Sequence, residues 1–454
     1  MKKVCVAGLG YIGLPTAILA AQSGLSVVGV DVDAKRVKNI NAMISPIEEP
    51  EVEKRLGIVI TNGSFKAQTH YETADYYIIA VPTPFTEDKR ADLSYVFDSA
   101  RSIVAVLKKG DTVILESTVP VGTTKLLTEF LSRETQLKSG TDFFVAHCPE
   151  RVLPGNTFHE LQVNDRVIGG IDRGSTRHVA TFYKNFVSGD LYLTTAEAAE
   201  MTKLVENSYR DITIAISHQV ASMAYEVGLD PYEIIELANK HPRVKMLKPT
   251  CGVGGHCLAV DPWFLIETFP KQTALLKAAR EINDNKPFEV ISRIEKKVQE
   301  WKDSHEKDSC TVLVLGLTYK ANVDDIRESP AMTIAKELVG KKNFDVLVCD
   351  PHVSSSRLES LLANCKTTLV EGIAKADLIV CLVAHDEFKI IDKKVIAHKK
   401  VLDFCGIFHL GRKHSCDQEQ FFWPASGIDS FEQDTIASYK LHEFGLIKER
   451  EKSE

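Results

Sequence analysis

The chain is 454 residues long, more than one hydrophobic core organises, so two or three domains are expected. Its composition, 44% hydrophobic and 26% charged with no low-complexity tract, is that of a soluble globular protein, and no apolar run approaches a membrane span. The formal charge of −7 argues against a nucleic-acid binder, so any anionic ligand must be met by local basic residues.

Lys2-Lys3 leads straight into a strand, Lys3–Ala7, rather than into a signal peptide. A glycine loop follows, then an alanine-rich helix over Leu14–Ser23 and a second strand, Ser26–Val30, that ends at Asp31. Further strands are predicted at Tyr76–Val81, Val113–Ser117 and Phe143–Ala146, alternating with helical patterns, which reads as a doubly wound parallel sheet. From about Thr195 the period becomes helical. Ala196–Val227 carries apolar positions at Met201, Leu204, Val205, Ile212, Ile216, Val220 and Met223, and Asp230-Pro231 opens another helix. Two more helices are predicted at Ala274–Asn283 and Pro287–Trp301, giving a helical middle suited to joining two domains and building a dimer interface. The last third repeats the opening in outline: Thr311–Leu315 with Gly316, then Phe344–Cys349 with Asp350, then the run Ala376–Val383. It lacks the full glycine signature, so a second Rossmann-like domain with a different ligand is expected. The fold class is therefore α/β, with two Rossmann-like parallel-sheet domains (1–195 and 306–454) joined by a helical segment (196–305) with a long central helix. The charged tail Lys448–Glu454 is expected to be mobile.

Gly8-Leu9-Gly10-Tyr11-Ile12-Gly13 sits between a strand and a helix, with Asp31 closing the next strand. The glycines permit a tight turn and close approach of a pyrophosphate to the helix N-terminus, and an acid at that place binds both ribose hydroxyls. NAD is favoured over NADP. Arg36 leaves the matter open, because it could accept a 2′-phosphate or stack on adenine. Pro82-Thr83-Pro84, Ser117-Thr118-Val-Pro120 and Cys148-Pro-Glu150-Arg151 each follow a predicted strand, which places Thr83, Thr118 and Glu150 around the nicotinamide end.

Gly252-Val-Gly254-Gly-His-Cys257-Leu-Ala-Val-Asp261 holds one cysteine in a glycine-rich loop. A solvated thiol with a pKa of about 8.5 is a weak nucleophile until a cation or amide dipoles lower it, and taken alone the loop reads equally well as a structural turn. The ten cysteines are scattered without a C-x-x-C pair, and Cys5, Cys349 and Cys381 fall in apolar runs, the pattern of reduced thiols in a cytoplasmic protein. Lys203, Asn207 and Arg210 share one helix face, which is either a solvated stripe or a binding face for an anionic ligand.

These motifs, with Asn164–Gly170, Thr202–Asn207, His241-Pro-Arg243-Val244 and Arg327-Glu-Ser-Pro330, occur in an order that resembles the UDP-glucose/GDP-mannose dehydrogenase superfamily over nearly the whole chain. The resemblance implies a cytoplasmic, NAD-dependent, four-electron oxidation of a nucleotide-sugar C6 alcohol to a carboxylate. Cys257 would form a thiohemiacetal and then a thioester, Lys203 would stabilise the oxyanion, Asn207 and Asp261 would position water, and Glu150 would assist hydrolysis. Tyr11, Ile12, Asp31 and Arg36 would line the cofactor, with Arg327 reaching it from the C-terminal domain. That domain would hold UDP, with Lys320 near the uracil. Arg151, Val152 and Arg210 would meet the substrate, as would His241 and Gly254, and Arg243 would be contributed across a homodimer. No metal, nucleic acid or membrane partner is implied.

The implied substrate is UDP-N-acetyl-D-mannosamine, with UDP-N-acetyl-D-glucosamine as the alternative. Pro154, where UDP-glucose enzymes carry a glutamate, argues against UDP-glucose. The chain also departs from the family in Pro249-Thr-Cys251-Gly252, where a proline-glycine repeat is usual; this puts a second thiol near Cys257, and their oxidative pairing is conceivable. A non-catalytic NAD sensor on the same fold would have lost Cys257 or Lys203, and a two-electron dehydrogenase of the 6-phosphogluconate type would need neither the cysteine loop nor a second Rossmann-like domain.

Overall fold

Eight short strands, most buried along their length, build the first sheet: β1 (Lys3–Ala7), β2 (Ser26–Val30), β3 (Phe65–Gln68), β4 (Tyr76–Ile79), β5 (Thr112–Leu115), β6 (Phe144–His147), β7 (Arg166–Gly170) and β8 (Leu191–Thr195). In this computed structural model, which describes residues 2–408 apart from 48–50, 153–154, 256, 343 and 363–364, their order is β3-β2-β1-β4-β5-β6-β7-β8. The first six are parallel, β7 runs antiparallel to β6, and β8 is parallel to β7. The strand order reverses between β1 and β4, and ligands of such sheets bind at the carboxyl ends there. β5 is buried throughout because helices cover both faces of a parallel sheet.

The chain divides into two compact units, Met1–Tyr209 with Val260–Leu276, and Arg210–Ala259 with Lys277–Glu454. The second unit carries a four-stranded parallel sheet: β9 (Cys310–Leu315), β10 (Phe344–Cys349), β11 (Leu378–Cys381) and β12 (Lys400–Asp403), in the order β10-β9-β11-β12. The internal repeat extends to single hydrogen bonds. Asp31 accepts from the backbone N–H of Leu9 at 2.9 Å and of Asp33 at 3.0 Å, and Asp350 accepts from Leu317 at 2.7 Å and His352 at 2.9 Å.

Two helical expectations change. Ala274–Asn283 and Pro287–Trp301 are parts of one helix, Ala274–His305, that continues through Pro287. A proline inside a helix costs about 3 kcal/mol, but Val290, Ile291, Ile294, Val298 and Trp301 all join the core beside β9, and that packing outweighs the lost hydrogen bond. The long helix is Ala196–Glu226, and most of its large apolar side chains are not the buried ones. Of the apolar positions only Leu204 is fully buried, whereas Met201, Val205, Ile216 and Met223 are 42%, 46%, 49% and 62% exposed. Its buried face carries Leu204 and small alanines together with Glu200, Asn207, Ser208, Asp211, Ser217 and His218. No described helix is long and apolar enough to cross a membrane. Residues 409–454, including the tail Lys448–Glu454, lie outside the described residues.

Candidate active site

The three loop glycines of the first unit have different physical reasons. Gly8 has φ +89°, and a Cβ there would stand 2.4 Å from the Ala80 carbonyl oxygen. A Cβ on Gly13 would stand 1.8 Å from the Gly8 carbonyl oxygen. Around Gly10 nothing lies within 4 Å, so open space faces the start of the helix Gly13–Gln22. Ile12 is that helix's N-cap and supplies no side-chain cap; Leu14 N–H is given to the Gly10 carbonyl at 3.2 Å and Pro15 has none, so the helix offers an anion its dipole and the Gly13 N–H. Tyr11 packs partly buried against the first core. At the end of β2, Asp31 is buried and pairs with Arg36 at 2.9 Å. The open cradle, the uncapped helix and the buried acid fit a dinucleotide. The Arg36 guanidinium is held on Asp31, an arrangement suited to a ribose diol more than to a 2′-phosphate.

At the carboxyl ends of β4 and β5, the Thr83 hydroxyl donates to the Thr118 carbonyl at 2.6 Å and ties the two loops together. Glu200 of the long helix accepts from the backbone N–H groups of Gly122 and Thr124 and from the Thr124 hydroxyl, each at 2.6 Å. A carboxylate thus caps the helix Thr123–Thr135 and fixes the loop before it.

Glu150 is buried and accepts from the Arg151 N–H at 2.5 Å, while its Oε2 lies 3.7 Å from the Arg166 guanidinium. Arg166 also lies 3.9 Å from Glu116 and over the Tyr183 ring, and the Tyr183 hydroxyl donates to Glu116 at 2.5 Å. Burial pushes the Glu116 carboxyl up to about 7, Arg166 opposing the rise and the Glu150 charge adding to it. Two carboxyls therefore share one buried cation. Sequence reading assigned no role to Glu116 or Arg166. The available signal was charge in apolar strand-like runs, Glu116 after Val-Ile-Leu and Arg166 before Val-Ile. Arg151 pairs with Glu206 at 2.6 Å, and Val152 packs partly buried against the first core. Pro154 and His256 lie outside the described residues.

The helix Asp261–Thr268 packs Phe264 and Leu265 against Leu204 of the long helix, which brings Asp261 to Asn207. The Asn207 amide donates to the Asp261 carboxylate at 2.5 Å, and half-buried Lys203 acts on the same carboxylate electrostatically. Burial pushes Asp261 up to about 6, against the pull of Lys203 and the Asn207 bond. A carboxyl poised there can take a proton near neutral pH. Arg210 is exposed.

That pKa has a stability consequence. With the folded value raised above the ordinary 3.8, Asp261 favours folding below about pH 4, and this contribution is lost as pH rises through about 6. The ionised carboxyl then costs about 3 kcal/mol by linkage. Asp261→Asn is expected to gain about 1–3 kcal/mol at pH 7.5, with the gain shrinking towards pH 5. Urea unfolding at both pH values checks this, and a loss of stability at both would mean that the Asn207 bond outweighs the buried charge.

In the second unit, Cys257 lies exposed in a turn. Its loop glycines have a packing task. A Cβ on Gly254 would stand 2.4 Å from the Glu328 carbonyl oxygen, and one on Gly255 would stand 2.9 Å from the Tyr319 ring. The loop lies flat on the segment before the helix Pro330–Val339. Cys251 is buried, and its thiol, pushed up to about 12 by burial, donates to the Leu382 carbonyl at 3.5 Å, so it is not paired with Cys257. His241, Arg243 and Lys320 are exposed, and Arg327 pairs with Asp325 at 2.6 Å. His352, His385 and Glu387 bring ligand atoms within 4.8 Å of one another. His385 nonetheless has no lone pair to offer a metal: Nδ1 accepts from the Asn322 N–H at 3.0 Å, so Nε2 bears the proton facing Asp350 at 3.2 Å.

Two Rossmann-like sheets and an open dinucleotide cradle define a nucleotide-binding α/β protein. The three domain models of the UDP-glucose/GDP-mannose dehydrogenase family match in order: the NAD binding domain at residues 2–187, the central domain at 197–285 and the UDP binding domain at 313–409. The chain belongs to this family and is an NAD-dependent dehydrogenase of UDP-sugars, an oxidoreductase. It is 44% identical over 398 residues to a UDP-N-acetyl-D-mannosamine dehydrogenase of Methanocaldococcus jannaschii, covering 87% of this chain and 88% of the relative. It is 40% identical over 421 residues to an NDP-N-acetyl-D-galactosaminuronic acid dehydrogenase of Ralstonia solanacearum, covering 90% and 97%. Among solved structures, a UDP-D-ManNAc dehydrogenase from Pyrococcus horikoshii superimposes with a TM-score of 0.82 at 37% identity, covering 89% of this chain and 96% of that one.

Proposed function

We propose that the protein oxidises the C6 hydroxyl of UDP-N-acetyl-D-mannosamine to the carboxylate of UDP-N-acetyl-D-mannosaminuronate. The observation that carries this reading is the Lys203–Asn207–Asp261 cluster, with a carboxyl poised near neutrality. NAD supplies the hydride acceptor for each of two oxidations, so two NAD⁺ and one water are consumed per sugar. Asp261 and Asn207 hold the water that removes the hydroxyl proton, and the Lys203 ammonium stabilises the developing oxyanion. The Cys257 thiolate attacks the C6 aldehyde to give a thiohemiacetal, and the second oxidation leaves a thioester. A water activated through Glu150 adds to the thioester, the C–S bond breaks, and thiolate and uronate separate.

Functionally, residues 1–195 bind NAD, 196–305 dimerise and 306–454 bind UDP, with Lys320 at the uracil and Arg327 serving the cofactor. Arg151, Val152 and Arg210, with His241 and Gly254, meet the substrate. The exposed apolar stripe of the long helix supports a homodimer, in which Arg243 completes the partner's substrate site. A cytoplasmic location accords with its two small, charged co-substrates.

The likeness to the Methanocaldococcus jannaschii protein favours the mannosamine configuration. The Ralstonia solanacearum relative favours a galactosamine configuration as a second reading. The deciding measurement is NADH formed per limiting sugar, with UDP-N-acetylmannosamine, UDP-N-acetylgalactosamine, UDP-N-acetylglucosamine and UDP-glucose in parallel. Two NADH from the first, with little from the others, is expected. Two from another sugar keeps the chemistry and changes the substrate, and one or none from all four overturns the four-electron reading.

A further inference from the structure

A polar cluster inside the second unit holds both flanks of the cysteine loop. Asp211, Asn283, His218 and Arg280 are each no more than 1% exposed. The Asn283 amide nitrogen donates to the Asp211 carboxylate at 2.8 Å and to its backbone carbonyl at 3.0 Å. With its nitrogen spent there, Asn283 presents its oxygen to His218 Nδ1 at 2.9 Å. The His218 proton must therefore sit on Nδ1, and Nε2 is an acceptor. That acceptor takes the Thr250 backbone N–H at 3.2 Å. The Thr250 hydroxyl in turn donates to the Gly252 carbonyl at 2.7 Å, and Ser217, beside His218, donates to the Leu247 carbonyl at 2.6 Å. At the other flank, Arg280 pairs with Asp211 at 2.6 Å and lies 3.4 Å from the carbonyl of Leu258, next to Cys257.

The Asn283 oxygen on one ring nitrogen and the Thr250 N–H on the other give His218 one tautomer. Burial pushes the imidazole down to about 4; the Lys286 and Arg280 charges add to the fall, and the Asn283 bond and the Glu289 charge oppose it. Burying an ion pair such as Arg280–Asp211 is seldom the most stabilising choice for a core, and fixing a geometry is a better attested use.

We propose that His218 is a positioning residue for the nucleophile: as the neutral Nδ1–H tautomer it fixes Thr250, and through it the loop that presents Cys257. This rests on the reading of Cys257 as the nucleophile. A misplacement of about 1 Å at a reacting group can cost about 100-fold in rate without weakening ligand binding.

Two variants separate this role from a merely structural one. In His218→Asn the side-chain nitrogen can still reach Asn283, but nothing reaches the Thr250 N–H. In His218→Gln the side-chain oxygen can occupy the place of Nε2. Expected for H218N is a kcat for uronate formation lowered about 10–100-fold, with KM for NAD⁺ and sugar within about twofold. H218Q should retain kcat within about threefold. Wild-type kcat in H218N, or an equal loss in H218Q, overturns the proposal. If H218N fails to fold, Thr250→Val removes the hydroxyl lock on Gly252 and should lower kcat about 5–10-fold at unchanged KM, whereas an unchanged kcat overturns the proposal. Cys257→Ser run in parallel keeps the two readings apart: uronate turnover by that variant sinks the nucleophile itself, whereas a stalled C257S beside a fully active H218N sinks only the positioning role.

Discussion

Cys257→Ser is expected to lower uronate formation at least about 1,000-fold while leaving affinity for NAD⁺ and UDP-sugar within about twofold. Cys257 is exposed on a turn and serine is close to cysteine in size, so the fold should be unchanged. The loss is chemical. A thiol of ordinary pKa about 8.5 is already a few per cent thiolate at neutral pH, and small electrostatic help ionises it further. A serine hydroxyl needs a strong base beside it before it attacks a carbonyl. In the proposed mechanism the first oxidation requires no thiol, since Lys203, Asn207 and Asp261 would address the alcohol. The variant should therefore oxidise the alcohol to the aldehyde and go no further. A single-turnover experiment with NAD⁺ in excess, quenched and resolved by mass spectrometry, should show no uronate and at most one NADH per sugar. Uronate at the wild-type rate would remove Cys257 from the mechanism and leave its loop with a packing task alone.

The sheets were legible because a parallel sheet buried on both faces writes itself as short aliphatic runs. Lys3–Ala7, Ser26–Val30 and Phe344–Cys349 were read to the residue. β7 and β8 were passed over for a physical reason: β7 opens on Arg166, whose charge is answered by Glu116 and Glu150 from distant positions in the sequence, and β8 exposes Tyr192 and Leu193. The same non-local pairing hid the polar clusters. Apolar periodicity marks Met201, Val205, Ile216 and Met223 on the long helix, yet these are exposed, while Asp211 and His218 are buried with Arg280, Asn283 and Thr250 as partners. A sequence states which groups are polar, whereas a buried polar group is tolerated only through partners that spacing along the chain does not reveal. Lys203, Asn207 and Asp261 were legible as candidates for the opposite reason, since one helix register and one short loop bring them into view.

The glycine loop yields the second large effect, because two of its glycines should fail in opposite ways. Gly13→Ala places a methyl 1.8 Å from the Gly8 carbonyl oxygen and 3.1 Å from its carbon. Both are backbone atoms that no rotamer change can move, so the loop must shift, and a loss of about 3 kcal/mol or more in stability is expected. Gly10→Ala meets nothing within 4 Å, and Gly10 is not among the glycines with positive φ. Its stability should hold within about 1 kcal/mol of wild type, and the stiffer unfolded chain can even raise it. The added methyl enters the open space before the uncapped helix, where a pyrophosphate would lie, and NAD⁺ affinity should fall at least about tenfold. Unfolding with and without cofactor separates the cases. At 100 times its dissociation constant, NAD⁺ stabilises the wild type by about 2.7 kcal/mol, and a tenfold weaker site gains only about 1.4 kcal/mol at the same concentration. G13A should start low, whereas G10A should start at the wild-type value and respond weakly. A full NAD⁺ response from G10A would mean that the space before the helix is not where the pyrophosphate sits. A wild-type unfolding curve from G13A would mean that the loop accommodates a side chain its present geometry forbids.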